Sequence, residues 1–461
     1  MDTVLLSRIQ FAVTTLFHIL FPTLTIGLSV FLVVVEFLWI RTKEELYYRL
    51  YRYWVKFFAL NFGVGVVTGI VLSFEFGTNF SRFSQAASNV IAPLMAFEVM
   101  TAFFLESGFL GIMLFGWNRV SRGMHFLATC LVAAGTIISA FWILAANSWM
   151  QTPAGYSLTG GTFKVTDFSA AIFNPSTIVR MLHMSAAALE TSAFVVAGVS
   201  AYYVLAGIYS ALFRRSLTIA LIMAALFAPV QMIIGDSSGK MVVSHQPAKL
   251  AAMEAHWETN TDEGAPFIVA ALPDVKGERN VFEVSIPDGL SLLATHSLHG
   301  RVLGLKEFPP ENRPSVPLLF LTFRIMAGIG TLLVLVMAWG FFLWRKGKLF
   351  QYRPFLWTLL FIHPLGFLAV ETGWITTEAG RQPWIVYGLM RTDEGISPIP
   401  PGNVIWSLSL FLIIFAAIGS IYAYVVLNMI RRGPDVLSPL PAAHIPEGMK
   451  PLSDDDRKAQ A

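Results

Sequence analysis

Charge is scarce in this chain: Asp, Glu, Lys and Arg make up 13% of its 461 residues, while 55% are apolar. At roughly 150 residues per domain the length would suggest three soluble domains. A mean hydropathy of +0.63 leaves too little polar surface to keep such domains wet, which excludes a soluble globule. Cysteine is nearly absent. The single Cys130 rules out a disulfide framework, an iron–sulfur cluster held by this chain alone and covalent haem attachment through a C-x-x-C-H motif, so any haem is held by coordination and packing. Basic excess is small as well: 32 Lys and Arg against 29 Asp and Glu give a formal charge of +3, too little for a nucleic-acid surface. The N-terminus lacks a basic n-region, and its first apolar stretch, 9–40, exceeds a secretory h-region, so that helix is expected to remain.

Long hydrophobic runs are what the chain does have. A membrane helix needs about 20 mostly apolar residues to cross about 30 Å of hydrocarbon. Nine stretches qualify: 9–40, 54–76, 91–117, 124–149, 178–213, 217–236, 317–344, 355–375 and 404–430. The expected fold class is an all-α integral membrane protein with nine transmembrane helices in bundles. Bases alternate between the short loops. One set carries Arg41, Lys43, Arg49, Arg52, Lys56, Arg119, Arg122, Arg214, Arg215, Arg345, Lys346, Lys348, Arg353, Arg431 and Arg432; the other has Arg82, Lys164, Arg381 and Arg391. Because positive short loops stay in the cytoplasm, this predicts the N-terminus outside, the C-terminus cytoplasmic and one long outer loop. The chain then divides into helices 1–6 (residues 1–236), the outer loop (237–316), helices 7–9 (317–430) and a cytoplasmic tail (431–461), rich in Pro and Asp and expected to be disordered.

The loop contains His245, His256, His296 and His299 and is expected to form a small cap. Within it, Pro247 predicts the first turn of a helix reaching Trp257. Leu250, Met253 and Trp257 recur at helical spacing while Lys249 and Glu254 carry charge, the pattern of an interfacial amphipathic helix.

A charged group at the centre of a membrane helix costs about 2.5–3.5 kcal/mol or more, so His18, Glu98, Glu106, His183, Glu190, Arg324, His363 and Glu371 are functional candidates. His183 and Met326 fall in the outer halves of their spans. On opposite sides of a haem they would give a six-coordinate, low-spin iron of raised potential, with Arg324 near the propionates. A lone His or Met in a span also serves as plain packing. His18 near the outer end of the first span and Glu378 just past the eighth can reach one outer pocket, where a single ligand leaves a haem iron open for oxygen. Arg381 can pair with propionates or with Glu378, or the segment is an ordinary capped turn. Glu98 and Glu106, two turns apart, can line a proton path continued by Ser107, Ser139 and Asn147, or can simply join helices by hydrogen bonds.

Four motifs carry a resemblance: Phe17-His18 in the first helix, QPAKLAAMEAHW over 246–257, FRIMAGIG over 323–330, and GRQPW over 380–384 after the span bearing Trp374. In this order, from the N-terminus to about Ile430, the chain resembles subunit I of the cytochrome bd-type quinol oxidases. The resemblance implies that His183 and Met326 ligate a low-spin haem b. It implies that His18 and Glu378 ligate a high-spin haem b and a third haem, either haem d or a further haem b, and that Arg324, Arg381 and Trp374 contact haem. Lys249 and Glu254 would receive quinol, and Glu98 and Glu106 would carry protons. It further implies quinol oxidation at the outer face, reduction of O2 to water with charge separation but no pumping, and residence in a bacterial cytoplasmic (inner) membrane. The implied partners are a second large membrane subunit (subunit II) and a small single-helix one, with no nucleic acid. The outer loop is short for the family and resembles the branch that includes cyanide-insensitive oxidases. The rivals fit less well. A haem–copper oxidase needs a cluster of copper-binding histidines, and a bc-type cytochrome b needs paired histidines repeated on two spans; the chain has neither. A secondary transporter predicts inverted-repeat halves, and only Pro229 and Pro364 speak for it.

Overall fold

The computed structural model describes residues 2–441, 444–453 and 457. Among them, nine helices are long and apolar enough to cross a membrane, one at each expected stretch. The first two spans are α1 (Thr3–Thr42) and α2 (Glu45–Thr78). The third comprises α3 (Ser88–Glu98), a π-helical stretch Val99–Phe103 and α4 (Phe104–Phe115). Then follow α5 (Arg122–Gln151), the hairpin β1 (Tyr156–Thr159) and β2 (Thr162–Val165), α6 (Thr177–Ala206) and α7 (Ser210–His245). The long loop holds α8 (Pro247–Met253) and the antiparallel pair β3 (Phe267–Asp274) and β4 (Arg279–Ile286). The chain closes with α9 (Val316–Arg345), α10 (Arg353–Ile362), α11 (Leu365–Ala379) and α12 (Pro401–Arg432).

Local chemistry explains several helix ends. The Asp2 carboxylate accepts from the amides of Val4 and Leu5 at 2.5 and 3.1 Å, capping α1. Gly207 (φ 75°) and Tyr209 (φ 49°) turn the chain between α6 and α7. The fifth span therefore stops at Ala206 and not at 213, and α7 runs on to His245, so the start of the expected loop is helical. The eighth span is two helices, because Pro364 has no amide proton to continue α10 and His363 bonds the Leu360 carbonyl at 2.6 Å. The His363 ring packs on Gly198 of α6, where any Cβ would collide with it. His363 is thus a packing residue at a break.

The spans ending in α6 and α1 lie at the centre, with 72% and 67% of their apolar windows buried, whereas α12 is only 6% buried and lies at the rim. Alternating spans put the N-terminus and the long loop on one face and the C-terminal tail on the other. The loop is a true cap: Met253, Trp257, Ile268, Leu290 and Leu305 form an apolar core with Val316 and Leu319 of α9.

Two expectations need correction. The helix from Pro247 ends at Met253 and does not reach Trp257; Ala255 takes a left-handed conformation (φ 48°). It is not interfacial either, since Ala248 to Met253 are all buried, Lys249 included. Periodicity reported one apolar face, but the loop core covers the other side too. The described part of the tail is likewise ordered. Arg49 donates to the carbonyls of Asp435 and Ser438 at 3.2 and 2.9 Å, Lys43 to that of Glu447 at 2.8 Å, and Val436 is buried. The rest of that tail lies outside the described residues.

α1 and α6 touch through Gly27, where an added Cβ would fall on Ser192 and 2.6 Å from the Ala188 carbonyl oxygen. Small residues let membrane helices approach this closely. Gly27→Val is therefore expected to destabilise the protein by about 1–3 kcal/mol through overpacking. Thermal denaturation in detergent checks it, and Ser192→Gly in that background should recover part of the loss.

Candidate functional site

A cavity of about 550 Å³ opens beneath the cap between α6, α7, α8, α9 and α11. His183 from α6 and Met326 from α9 both line it, so the two residues paired from their depth in sequence border one cavity. Lys249, Glu254, Trp374, Arg180, Glu190 and Gln231 share the lining.

The walls are kept thin where a flat ligand would need room. A Cβ on Gly373 would stand 2.8 Å from Met326 Sδ, and one on Gly235 would touch the His183 ring at 3.7 Å. Gln231 Nε2 lies 3.3 and 3.5 Å from the His183 ring nitrogens, while its Oε1 is buried without a partner among the described residues. Trp374 Nε1 reaches Met184 Sδ at 3.4 Å. The volume, the small residues and the soft and imidazole donors fit a haem of the type inferred from sequence.

At the cap end charged groups form part of the cavity wall. Arg324 donates to Glu254 Oε2 at 2.6 Å and, through Nε, to the Ile268 carbonyl at 2.8 Å, and its guanidinium lies 4.4 Å from the Phe267 ring centroid. One arginine thereby ties α8 and β3 to α9. Burial holds the Glu254 carboxyl above its ordinary range despite Arg324 beside it. Lys249 donates to Gln246 Oε1 at 3.2 Å and to the Thr377 carbonyl at 3.0 Å. Its stem runs over Gly380, where a Cβ would come within 2.6 Å of its Cε. Burial, then the nearby Arg180, lowers the Lys249 ammonium from its ordinary 10.5 to about 7.

Glu378 sits beside this wall. Arg381 donates to its Oε2 at 2.5 Å, and Asn147 and Gln151 of α5 donate to Oε1 at 3.0 and 3.2 Å. Asn147 also accepts from Arg180, so one amide links the cavity wall to Glu378. Burial depresses the Arg381 guanidinium, opposed by Glu378. His18 stands apart and does not line the cavity. The Thr68 hydroxyl donates to the Val64 carbonyl at 2.9 Å, so toward His18 Nδ1, also at 2.9 Å, it accepts. The imidazole then carries its proton on Nδ1 and keeps its lone pair on Nε2, the form a metal ligand needs. Gly69 leaves the ring space, a Cβ there coming within 3.1 Å of Cε1.

Glu98 and Glu106 both face α5. Ser139 donates to Glu98 at 2.8 Å, and Glu106 fills the space left by Gly135, four residues earlier on that helix. Ser107 does not join them: it is exposed and donates to its own helix at Phe103. Asn147 belongs to the Glu378 cluster. Sequence alone assigns no role to Arg180, Gln231 or Gln246. Arg180 carries the same signal as Arg324, a charge inside an expected span, Gln246 stands only as the first residue of the loop motif, and Gln231 has no such signal.

The chain matches the sequence model of the cytochrome bd terminal oxidase subunit I family over residues 6–434. It is 37% identical to the cytochrome bd ubiquinol oxidase subunit 1 of Bacillus subtilis, over 94% of this chain and 95% of that one. It is 35% identical to the cytochrome bd-II ubiquinol oxidase subunit 1 of Escherichia coli, over 95% and 98%. The solved bd oxidase of Geobacillus thermodenitrificans superposes with a TM-score of 0.86 at 33% identity, covering 94% of this chain and 99% of that one.

Lys249 also provides a signature in stability. Between about pH 7 and its ordinary 10.5 the unfolded chain holds a proton that the folded chain has released. Stability from this group therefore rises with pH across that window and is flat below it. Thermal denaturation of Lys249→Met against the parent is expected to lose that rise; an unchanged pH dependence would mean that Lys249 keeps its proton.

Proposed function

The chain belongs to the cytochrome bd terminal oxidase subunit I family, a terminal quinol oxidase of bacterial membranes that carries haem and works beside a subunit II, and from that premise we propose how its residues divide the work. The observation that carries the proposal is the single cavity that gathers His183, Met326, Lys249 and Glu254 from separate segments.

Bound haem supplies one-electron chemistry and, where one axial position is open, a site for oxygen. His183 and Met326 would hold a low-spin haem b. A half-turn of the Gln231 amide would direct its unpartnered oxygen at His183 Nδ1–H and leave Nε2 as the ligand atom. His18, oriented by Thr68, and Glu378, held by Arg381, would ligate the two high-spin haems: a haem b and either haem d or another haem b. Trp374, Arg324 and Arg381 line or border these positions.

Quinol would approach from the loop face, where the exposed Asp236 and Leu293 rim the cavity and Lys249 and Glu254 lie deeper inside. A Lys249 that titrates near 7 can take or give a proton at neutral pH, and Glu254, raised by burial, is a proton acceptor held in place by Arg324. Glu98 and Glu106 would carry protons along α5 from the tail face for the reduction of O2 to water. With the bases of the tail face in the cytoplasm, the N-terminus and the quinol site lie outside, so electron and proton movements separate charge without a pump. The exposed side of α12 suits further membrane subunits, subunit II and a small single-helix one. The membrane would be the cytoplasmic (inner) one.

Reduced-minus-oxidised and CO-difference spectra with pyridine haemochrome analysis test the cofactor assignment: a red-shifted chlorin band means haem d, and haem b alone with CO binding means a third haem b. Met326→Leu is expected to convert the low-spin haem to high spin; an unchanged spectrum would remove Met326 as a ligand. Glu254→Gln should lower quinol turnover on the order of 10²-fold with haem spectra intact, whereas loss of haem would give Glu254 a structural role.

A further inference from the structure

Glu36, inside the first span, and His125, at the tail-face end of α5, take no part in the site above. Both are buried, with 1% and 0% of the residue exposed. Glu36 Oε1 lies 2.6 Å from His125 Nδ1, and Thr129 donates to Oε2 at 2.6 Å. Because the Thr129 proton is used there, Tyr51, 2.8 Å away, donates to Thr129. The chain of donors thus ends on the Glu36 carboxylate, with His125 and Thr129 in contact with it and Tyr51 behind Thr129.

The other ring nitrogen, His125 Nε2, is buried with no partner among the described residues, and so are Trp117 Nε1, Trp39 Nε1 and His444 Nδ1. These four rings form one nest: Trp117 lies 3.9 Å from His125 and 5.2 Å from His444, and His444 stacks 6.0 Å from Trp39. Buried polar atoms without partners are rare, and four that adjoin are a site made for water. Trp117 is also a wall of a second cavity, about 720 Å³, lined by Tyr48, Arg52, Asp435 and Ser438 on the tail face. His444 donates to the Val120 carbonyl at 2.9 Å and so lies across the nest as its lid. The charged neighbours are Arg52, over Trp117, and Arg122, which holds the tail at the Ile445 carbonyl.

Inward from the pair, Ser29 follows Glu36 by two turns of α1, and Thr136 follows Thr129 by two turns of α5. Their hydroxyls are 3.2 Å apart and buried. Thr136 adjoins Gly135, the residue that makes room for Glu106, and Ser139 binds Glu98. The two-turn interval is about 11 Å, a span that about three waters cover.

Building on the Glu98 and Glu106 route proposed above, we propose that the His125–Glu36 pair is its inlet: protons enter from the tail-face cavity at His125 and pass through Glu36 and the Ser29–Thr136 step to Glu106. A proton accepted on Nε2 makes the imidazolium. The Nδ1 proton then moves to Glu36 and onward, so one proton enters as one leaves and the net charge of the pair is restored.

The test uses the whole oxidase in lipid vesicles, with quinol-driven oxygen consumption measured in H2O and in D2O. Glu36→Gln is expected to slow turnover by at least about tenfold and to raise the solvent isotope effect, with haem spectra unchanged. Thr136→Val should raise the isotope effect too, and it decides the matter if Glu36→Gln loses haem. Slow turnover with an unaltered isotope effect would make the cluster structural and overturn the inlet, as would parental rates in both variants. Glu106→Gln in the same assay separates the two levels. If it is slow while the inlet variants are fast, only the inlet falls; if it too is fast, the route itself falls.

Discussion

Where water is excluded, a guanidinium and a carboxylate that face each other supply the solvation that burial denies to both. Arg381 and Glu378 do this at 2.5 Å where α5 and α11 meet, and Asn147 extends the arrangement to Arg180 on the cavity wall. Arg324 and Glu254 repeat it one helix away and draw the cap down onto α9. Such a buried pair adds little net stability, but it is costly to break because the survivor stays charged and dry. The cavity is therefore bounded by contacts that hold position more than they add strength, which suits a site that must keep redox groups at fixed separations.

Much of this was visible in the chain. Apolar runs of membrane length mark all nine spans, and two of the ionisable residues inside them, His183 and Glu190, line the main cavity. What stayed hidden depends on tertiary contact. The break at Pro364 is local, but the seat of His363 on Gly198 that goes with it is a tertiary contact. Lys249 read as a charge on a wet face because its helix pattern looked one-sided, yet the loop core closes over it. The tail read as disordered for want of apolar residues, but Arg49 and Lys43 tie it down through its backbone carbonyls, which no side-chain pattern reveals. Glu36 and Arg180 carry the same signal as the others, a charge inside a long hydrophobic run.

The family motifs acquire physical reasons in the fold. The glycine of GRQPW, Gly380, lets the Lys249 stem pass, and its arginine holds Glu378. The arginine of FRIMAGIG, Arg324, clamps the cap, while Met326 two positions on reaches the cavity. The motif in the loop gives Lys249 and Glu254 to a wall and not to a surface.

The lining of the main cavity spans the chain from Leu144 to Thr377. During synthesis the pocket has no complete form until the second half of the eighth span has emerged and folded back against α6. Until then His183 and Arg180 are already in the membrane without the groups that enclose them. Closure of the pocket is consequently among the last steps in the folding of the chain.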